Sequence, residues 1–231
     1  RGINMIIVAG GTKGGSGKTT VATNLAIMRA ASGRDVLLID ADDQETSTDF
    51  TALRSERNGE AGYTSIKLTG QAVRTETAKL KRKYDDMIID AGGRDTTSQR
   101  ALAVADVLLV PFVPRSFDVW TIEKVGELVA EIRSINPKLK AFAFINRADS
   151  AGSDNEDAAE VLKDTKELKF LDAPVGGRKS FGKAAAQGLA VIELKPADAK
   201  AVEEISALYA AVFGQAWSEK QPIPLKAGNA R

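Results

Sequence analysis

The sequence of 231 residues contains no cysteine and no histidine. Without cysteine the chain has no disulfide bonds, thiolate zinc sites, iron–sulfur clusters or cysteine nucleophiles. Without histidine it has no imidazole acid–base catalysis and no Ser-His-Asp triad. Any reaction that this chain catalyses must therefore use backbone amides, lysines, carboxylates and hydroxyls, with a bound magnesium ion as a candidate cofactor.

Strong net charge and long apolar runs are also lacking. The chain has 32 basic and 31 acidic residues, a net charge of +1, so it is not a globally basic nucleic-acid binder. Any affinity for DNA must come from a local patch of basic residues. No run approaches the roughly 18 apolar residues of a membrane-spanning helix, and no signal peptide is visible, so no membrane partner is expected.

Short apolar runs alternate with segments of helical periodicity. Strands are predicted over residues 5–9, 36–40, 87–90, 107–111 and 141–146, and helices over residues 18–32, 118–135 and 198–213. Strands that are apolar throughout are buried on both faces, which is typical of a parallel sheet between two helical layers. The sequence therefore predicts an α/β fold with a single doubly wound, mostly parallel sheet and helices on both faces.

The predicted domain covers residues 5–213. Met5 is a candidate native start, which would make residues 1–4 a remnant of an expression vector. Residues 214–231 follow the last predicted helix and are expected to form a frayed C-terminal tail.

A glycine-rich loop follows the first predicted strand, with the sequence Gly-Thr-Lys-Gly-Gly-Ser-Gly-Lys-Thr-Thr over residues 11–20. A Gly-Lys-Thr ending between a strand and a helix is typical of a phosphate-binding loop, and a glycine turn without a ligand is the disfavoured alternative. The loop amides and the helix N-terminus would surround the phosphates. Lys18 is predicted between the β- and γ-phosphates of ATP, with the Thr19 hydroxyl on Mg²⁺. The predicted ATP-binding residues here are Gly14, Gly15, Ser16, Gly17, Lys18, Thr19 and Thr20.

Residues 13–20 match the deviant Walker A pattern K-G-G-x-G-K-[ST]-[ST] throughout. In this motif the chain resembles the ParA/MinD family of P-loop ATPases, which implies the P-loop NTPase fold. The resemblance implies a catalytic role for Lys13, which would cross a dimer interface and contact the nucleotide of the other subunit. A solvated loop lysine is the alternative for Lys13. ATP would then hold two subunits together, and hydrolysis would depend on the dimer.

Two further stretches resemble motifs of that family. Residues 36–44 resemble its second-strand motif, with Asp43 where proline is common, and residues 84–90 resemble its Walker B strand. The resemblance implies that Asp42 orients the attacking water and that Asp40 and Asp90 hold Mg²⁺ through water. Aspartates that only cap the segment after each strand are the alternative for Asp40 and Asp90.

Two other positions bear on the resemblance. The family's usual T/C-P-P after the Walker B strand is replaced by Ala-Gly-Gly at residues 91–93. Asn146 ends the fifth predicted strand where a family asparagine often contacts adenine. The resemblance spans roughly residues 5–213, which leaves no room for an N-terminal helix-turn-helix and implies a small ParA.

Two groups of basic residues are candidate DNA contacts. The first comprises Arg178, Lys179, Lys183, Lys195 and Lys200, in a region where the family places its DNA patch. Basic side chains that contact phosphates give DNA binding that is independent of sequence and sensitive to salt. The second group lies within residues 79–83, and a solvated helix face is the favoured interpretation of it.

The resemblance implies an ATPase that converts ATP and water to ADP and phosphate. ATP would drive homodimerisation, the dimer would bind nonspecific DNA, and DNA and a ParB-like adaptor on the cargo would stimulate turnover. The expected role is plasmid or chromosome partition in the cytoplasm, in association with the bacterial nucleoid. A positioning ATPase for a protein cargo is chemically identical and stays open.

Two other classes are less favoured. A membrane-cycling MinD-like regulator needs a C-terminal amphipathic helix, whereas residues 218–231 contain two prolines and a glycine. A metabolic P-loop kinase or ligase would not be expected to carry Lys13 or the glycines that follow it.

Overall fold

The computed structural model describes residues 4–11, 14–92, 96–114 and 119–220. The strands are β1 Met5–Ala9, β2 Val36–Ala41, β3 Thr64–Lys67, β4 Asp86–Ala91, β5 Val107–Phe112, β6 Lys140–Ala148, β7 Lys169–Phe170 and β8 Val175–Gly176. The helices are α1 Lys18–Ala31, α2 Thr46–Asn58, α3 Ala72–Leu80, α4 Thr96–Leu102, α5 Val119–Arg133, α6 Asp154–Asp164, α7 Lys179–Ala185 and α8 Ala199–Phe213. A short 3₁₀ turn, Val191–Glu193, lies between α7 and α8.

The strands form one sheet in the order β3-β2-β4-β1-β5-β6-β7, and β8 pairs with β6 beyond the end of β7. Every strand pair is parallel. The predicted α/β fold with a doubly wound parallel sheet is therefore confirmed. Strand β1 lies between β4 and β5, so the loops after β1, β2, β4 and β6 meet at the carboxyl edge of the sheet, where α/β proteins bind ligands.

Two apolar clusters cover the two faces of the sheet. One face packs against α1 and α8, with α1 residues such as Leu25 and Met28 fully buried. The other face packs against α3, α4, α5 and α6, with Val125 and Val129 of α5 fully buried. Because both faces are covered, the central strands are apolar apart from aspartates near their ends, which is the pattern that the sequence shows.

The predicted long elements agree with the structure to within two residues at each end, whereas three strands were not predicted. Strand β3 has the sequence Thr-Ser-Ile-Lys, with its two end residues exposed, and it lies at the edge of the sheet. Strands β7 and β8 are two residues long. None of these strands contains the continuous apolar run on which the prediction depended.

The structure differs from the predicted frayed tail over residues 214–220. The Trp217 indole Nε1 donates a hydrogen bond to the Met28 carbonyl at 3.0 Å. The Lys220 amide donates one to the Ala31 carbonyl at 2.9 Å. These bonds attach the segment after α8 to carbonyls in the last turn of α1, and the Met28 carbonyl also accepts from the Ser32 amide. Among the described residues, no helix has the length and apolar character needed to cross a membrane.

Candidate nucleotide site

The phosphate-binding loop is held in a conformation that requires glycine. Gly15 and Gly17 have φ angles of 74° and 94°, in the left-handed region, and α1 begins directly after Gly17. A Cβ atom at Gly17 would lie 2.3 Å from Nδ2 of Asn146. This Nδ2 donates a hydrogen bond of 2.7 Å to the Ser16 carbonyl. Asn146, predicted as an adenine contact, therefore also fastens the loop to the end of β6.

Two aspartates lie side by side at the carboxyl edge of the sheet. Asp40 on β2 and Asp90 on β4 are partners in the strand register, and both are fully buried. The Asp40 carboxylate accepts hydrogen bonds from the Thr48 amide at 2.8 Å, the Thr48 hydroxyl at 2.7 Å and the Asp42 amide at 3.1 Å. These are the contacts of the capping alternative, and they fix the path of the loop that carries Asp42.

Asp90 lacks the hydrogen bonds that Asp40 accepts. Neither of its carboxylate oxygens has a hydrogen-bond partner among the described residues, and neither does the buried Ser47 hydroxyl. Burial, together with the negative charges of Asp40 and Asp42, raises the pKa of Asp90 to about 7. The nearby hydroxyls of Thr19 and Ser47 lower the pKa of Asp90 and so oppose the effect of burial, although neither forms a hydrogen bond with the carboxylate. Buried oxygens without protein partners fit the binding of a metal ion or ordered water.

The oxygen donors at this edge fit a magnesium ion. Mg²⁺ prefers hard oxygen ligands, keeps several waters and takes few carboxylates from the protein. The Thr19 hydroxyl and the Asp90 carboxylate are donors of this kind. Within the described ranges no group of three acidic side chains forms a complete metal cage. Such an ion would need phosphate and water oxygens as well, which agrees with a nucleotide at this loop.

Lys18 lies between the loop and the carboxylates. It is 7% exposed, and burial lowers its pKa, while the charges of Asp90 and Asp42 act in the opposite direction. The Asp42 carboxylate packs against Gly92, where a Cβ atom would lie 3.1 Å from its Cγ. The glycine that replaces the family's proline after β4 thus leaves room for Asp42. The structure brings Lys18, Asp42 and Asp90 together at one edge of the sheet.

The remaining predicted loop residues are positioned less tightly. Gly14 and Gly15 are exposed, and Thr19 and Thr20 are half-buried at the start of α1. Lys13, for which the resemblance implies a role across a dimer interface, lies outside the described residues.

A cavity of about 410 Å³ adjoins the loop and is called here the nucleoside cavity. Its lining includes Gly17 and Thr20 at the start of α1, Asn146 and Arg147 at the end of β6, and Phe181 on α7. Arg147 has a φ of 53° and lies where the pairing of β6 with β8 is irregular, and such bulges often redirect a side chain near a site. The volume of the nucleoside cavity is within the range of small-ligand sites. Phe181 lies within residues 178–188, a stretch that resembles the family's basic and nucleotide-near C-terminal region, but the sequence does not single it out as a site residue.

Comparison with known proteins bears on this site directly. The profile of the CobQ/CobB/MinD/ParA nucleotide binding domain matches residues 6–191, which is most of the chain. The chain belongs to this family. The resemblance to ParA/MinD-type P-loop ATPases is thereby confirmed.

Individual relatives of this ParA/MinD-type chain differ in the cargo that their names state. Maintenance of carboxysome distribution protein A of Halothiobacillus neapolitanus is 25% identical over 197 residues, which cover 84% of this chain and 89% of the relative. Chromosome-partitioning ATPase Soj of Thermus thermophilus is 29% identical over 164 residues, which cover 58% of this chain and 65% of the relative. A plasmid partition protein from Borrelia burgdorferi bound to AMPPNP has a TM-score of 0.72 at 19% identity, covering 91% of this chain and 99% of its own, and it shows the shared fold.

Four of the five predicted DNA contacts of this ParA/MinD-type chain meet in a second cavity. This cavity of about 490 Å³, called here the basic cavity, is lined by Arg178, Lys179, Lys183 and Lys195. Lys200 is exposed but is not among its lining residues. Lys179, Lys183 and Lys195 are exposed as well, so their charges face solvent.

Arg178 differs from these lysines. Its Nε and Nη2 bond the two carboxylate oxygens of Glu204 on α8 at 2.9 and 2.5 Å. The hydrogen bond with Glu204 raises the pKa of Arg178, while its partial burial acts in the opposite direction. Glu204 also accepts from the Gly176 amide at 3.0 Å. Arg178 thus joins α7 to α8, and its charge is already compensated within the chain.

The second basic group, within residues 79–83, lies at the amino ends of the strands, opposite the carboxyl edge that carries the phosphate-binding loop. Lys79 pairs with Glu76 at 2.8 Å, and Lys81 pairs with Asp106 at 3.0 Å. This group precedes β4, so it lies at the amino ends of the parallel strands, remote from the phosphate-binding loop. The pairing supports the solvated-face interpretation.

The raised pKa of Asp90 leads to a prediction about stability. A carboxylate with a raised folded-state pKa costs stability as pH rises from its unfolded value near 4, and the full cost applies above pH 7. Asp90→Asn should therefore stabilise the nucleotide-free protein increasingly from pH 5 to pH 8, by at most about 4 kcal/mol. Urea unfolding at both pH values measures this effect. The exposed Asp43→Asn is the control, and an Asp90→Asn gain that is equal at both pH values would contradict the assignment.

Proposed function

We propose that residues 5–213 form an ATPase domain that dimerises on ATP, binds nonspecific DNA as a dimer and positions a cargo. The observation that carries this proposal is the adjacency of the two cavities. The nucleoside cavity and the basic cavity share Gly177, Arg178 and Lys179 as lining residues. A nucleotide and a DNA backbone would thus be bound on either side of one short segment of chain.

In the proposed reaction Lys18 and the loop amides neutralise the phosphates, which is the main requirement of phosphoryl transfer. Thr19 would contact Mg²⁺ directly, and Asp90 and Asp40 would hold it through water. The bound ion supplies positive charge next to the β- and γ-phosphates. Asp42 would accept a hydrogen bond from the attacking water and orient it. Lys13 of a second subunit would add positive charge only in the dimer.

Dimerisation accounts for how a chain with almost no net charge could hold DNA. Three exposed lysines of the basic cavity, with Lys200 nearby, offer too few phosphate contacts for one subunit at physiological salt. A dimer presents two such surfaces to one duplex, so the second set of contacts forms intramolecularly after the first. DNA binding should therefore require ATP, ignore base sequence and weaken steeply with salt.

The proposed cargo is a plasmid or chromosome, joined through a ParB-like adaptor that stimulates hydrolysis at the nucleoid in the cytoplasm. A protein cargo is the second candidate, because one relative is named for carboxysome distribution and another for chromosome partitioning. The two candidates share the ATPase and DNA-binding steps. They differ only in the adaptor, which can be identified by capture on the ATP-bound protein.

The DNA-binding step predicts the behaviour of Lys183→Glu combined with Lys195→Glu, two exposed lysines that line the basic cavity and not the nucleoside cavity. This variant should bind ATP normally and lose at least tenfold in affinity for random duplex DNA. Its log–log salt slope should fall by about 3 to 4, because a dimer loses four phosphate contacts. Fluorescence anisotropy of labelled DNA in the presence of ATP measures both quantities. Arg178 is left unchanged because a glutamate there would face Glu204 and disturb the fold.

Arg82→Glu with Lys83→Glu is the matched control, since it makes the same charge change at exposed positions on the opposite edge of the sheet. That control should bind DNA like the wild type. The placement of the DNA surface would be wrong if the control lost affinity and the Lys183/Lys195 variant kept it. ATP-dependent binding itself would be wrong if wild type bound DNA equally with ADP and ATP.

A further inference from the structure

Helix α7 forms the wall between the nucleoside cavity and the basic cavity. Phe181, Gly182 and Ala185 line the nucleoside cavity, whereas Ser180 and Lys183 line the basic cavity. Lys179, the first residue of the helix, lines both. Helix α7 is about two turns long, and it separates the two cavities. A shift of the helix caused by contacts in the nucleoside cavity would therefore also move the side chains that line the basic cavity.

The segment around α7 is anchored at its two ends. Before the helix, the guanidinium of Arg178 bonds both oxygens of Glu204 on α8. After it, the Gly188 carbonyl accepts a 2.9 Å hydrogen bond from Arg54 on α2, which pairs with the buried Glu193. These two contacts hold the ends of the segment to the rest of the domain.

Between these anchors α7 is held by few side chains: Ala184 belongs to the apolar cluster that includes α1 and α8, and Phe181 packs against that cluster. The helix is seven residues long, and only Ser180 and Ala184 are buried. Its central residue is Gly182, which lowers helix stability, and a Cβ atom there would meet nothing within 4 Å. Helices this short are not stable by themselves, so tertiary contacts decide how well α7 is ordered. Whatever fills the nucleoside cavity adds such contacts.

We propose that the nucleotide base rests on Phe181, and that Phe181 is the positioning residue through which the occupied cavity orders α7 and its lysines. Phe181 is half-buried and is the one aromatic side chain among the described lining residues of this cavity. A base against its ring would remove apolar area of both groups from water. The same helix carries Lys179 and Lys183, two residues before and two after Phe181. The role of these lysines in holding DNA rests on the proposed function.

The proposed role separates two effects of ATP. The base is present in both ADP and ATP, so either nucleotide should order α7. The γ-phosphate is present only in ATP, so dimerisation should need ATP. Ordering of α7 would then be necessary but not sufficient for DNA binding. A phosphate ligand without a base should occupy the loop and leave α7 as it is in the free protein.

The test compares hydrogen exchange of the α7 amides with saturating Mg·ADP and with saturating Mg·pyrophosphate. Both ligands fill the phosphate-binding loop without the ATP-dependent dimer, and only ADP has a base. Exchange at residues 179–188 should be at least fivefold slower with ADP than with pyrophosphate. Phe181→Ala should abolish this difference and keep its pyrophosphate affinity, and Phe181→Tyr should restore the difference. The control is Phe170→Ala, because Phe170 is also half-buried and lines neither cavity. This control should keep the difference in exchange between ADP and pyrophosphate.

Equal exchange with ADP and pyrophosphate in the wild type would overturn the inference, and so would a Phe181→Ala variant that behaves like the wild type. In a second arm, Phe181→Ala at saturating ATP should dimerise normally and bind random duplex DNA at least fivefold more weakly. If wild type shows the ADP-specific protection but binds no DNA with ATP, the contact between base and α7 stands. The proposed DNA-binding function is then the part that fails.

Discussion

Lys18→Ala is expected to lower the affinity for Mg·ATP at least a hundredfold and to abolish hydrolysis. Lys18 is buried beside Asp90 and Asp42, and it is the positive side chain among them. Its removal deletes charge-assisted hydrogen bonds to the phosphates, each of which contributes about 1.5–3 kcal/mol. It also leaves the carboxylates of Asp40, Asp42 and Asp90 to repel the incoming phosphates. Isothermal titration calorimetry and phosphate release measure the two losses.

The control for this prediction is Lys67→Ala. Lys67 ends β3 at the same edge of the sheet, is exposed and pairs with Glu45, so its removal deletes the same charge without touching the loop. Its ATP affinity should stay within about twofold of the wild type, as is usual for an exposed charge pair. A Lys18→Ala protein with unchanged affinity and turnover would remove the nucleotide site from this loop.

Glu193→Ala is expected to destabilise the fold by about 3–5 kcal/mol, a large part of the roughly 5–15 kcal/mol that a domain has. Arg54 and Glu193 are 1% and 2% exposed and form two parallel bonds of 2.8 and 2.9 Å. Arg54 also donates to the carbonyls of Ala61 and Gly188. Without Glu193 its guanidinium would remain buried and uncompensated. The midpoint of urea unfolding measures this loss.

Two other variants test whether the loss of stability in Glu193→Ala comes from the buried, unpaired Arg54. Glu193→Gln keeps the shape and an acceptor for the Ala190 amide, which now bonds Glu193 at 2.7 Å, so it should lose less than Glu193→Ala. Glu76→Ala removes the exposed partner of Lys79 and should cost under about 1 kcal/mol. A Glu193→Ala protein as stable as the wild type would show that this pair does not hold α2 to the segment after α7.

The features predicted correctly are those whose cause is local in the sequence. The glycines and Lys18 of the loop, the apolar central strands and the aspartates that end β2 and β4 are each determined by a few adjacent residues. Their placement at one edge then follows from parallel strand pairing, because parallel strands that leave the same edge bring their following loops together. The register of Asp40 beside Asp90 is an example.

The features that were missed depend on residues far apart in the chain. Arg178 was predicted as a DNA contact, but its partner Glu204 lies 26 positions away on another helix. Arg54 and Glu193 are separated by 139 positions, and each belongs to a segment that was predicted as neither helix nor strand. Trp217 lies just past the last predicted helix, yet it bonds a carbonyl 189 positions earlier. No pattern within a short window distinguishes such residues from solvated ones.

The central claim is that ATP converts this ParA/MinD-type chain into a dimer that holds DNA. Size-exclusion chromatography with multi-angle light scattering tests it in one measurement, with wild-type protein, random-sequence duplex DNA and either a slowly hydrolysed ATP analogue or ADP. With ADP we expect a species of one 24.6 kDa chain and free DNA. With the analogue we expect two chains on the duplex in one complex. Identical masses with the two nucleotides, whether both bound to DNA or both free, would contradict the account.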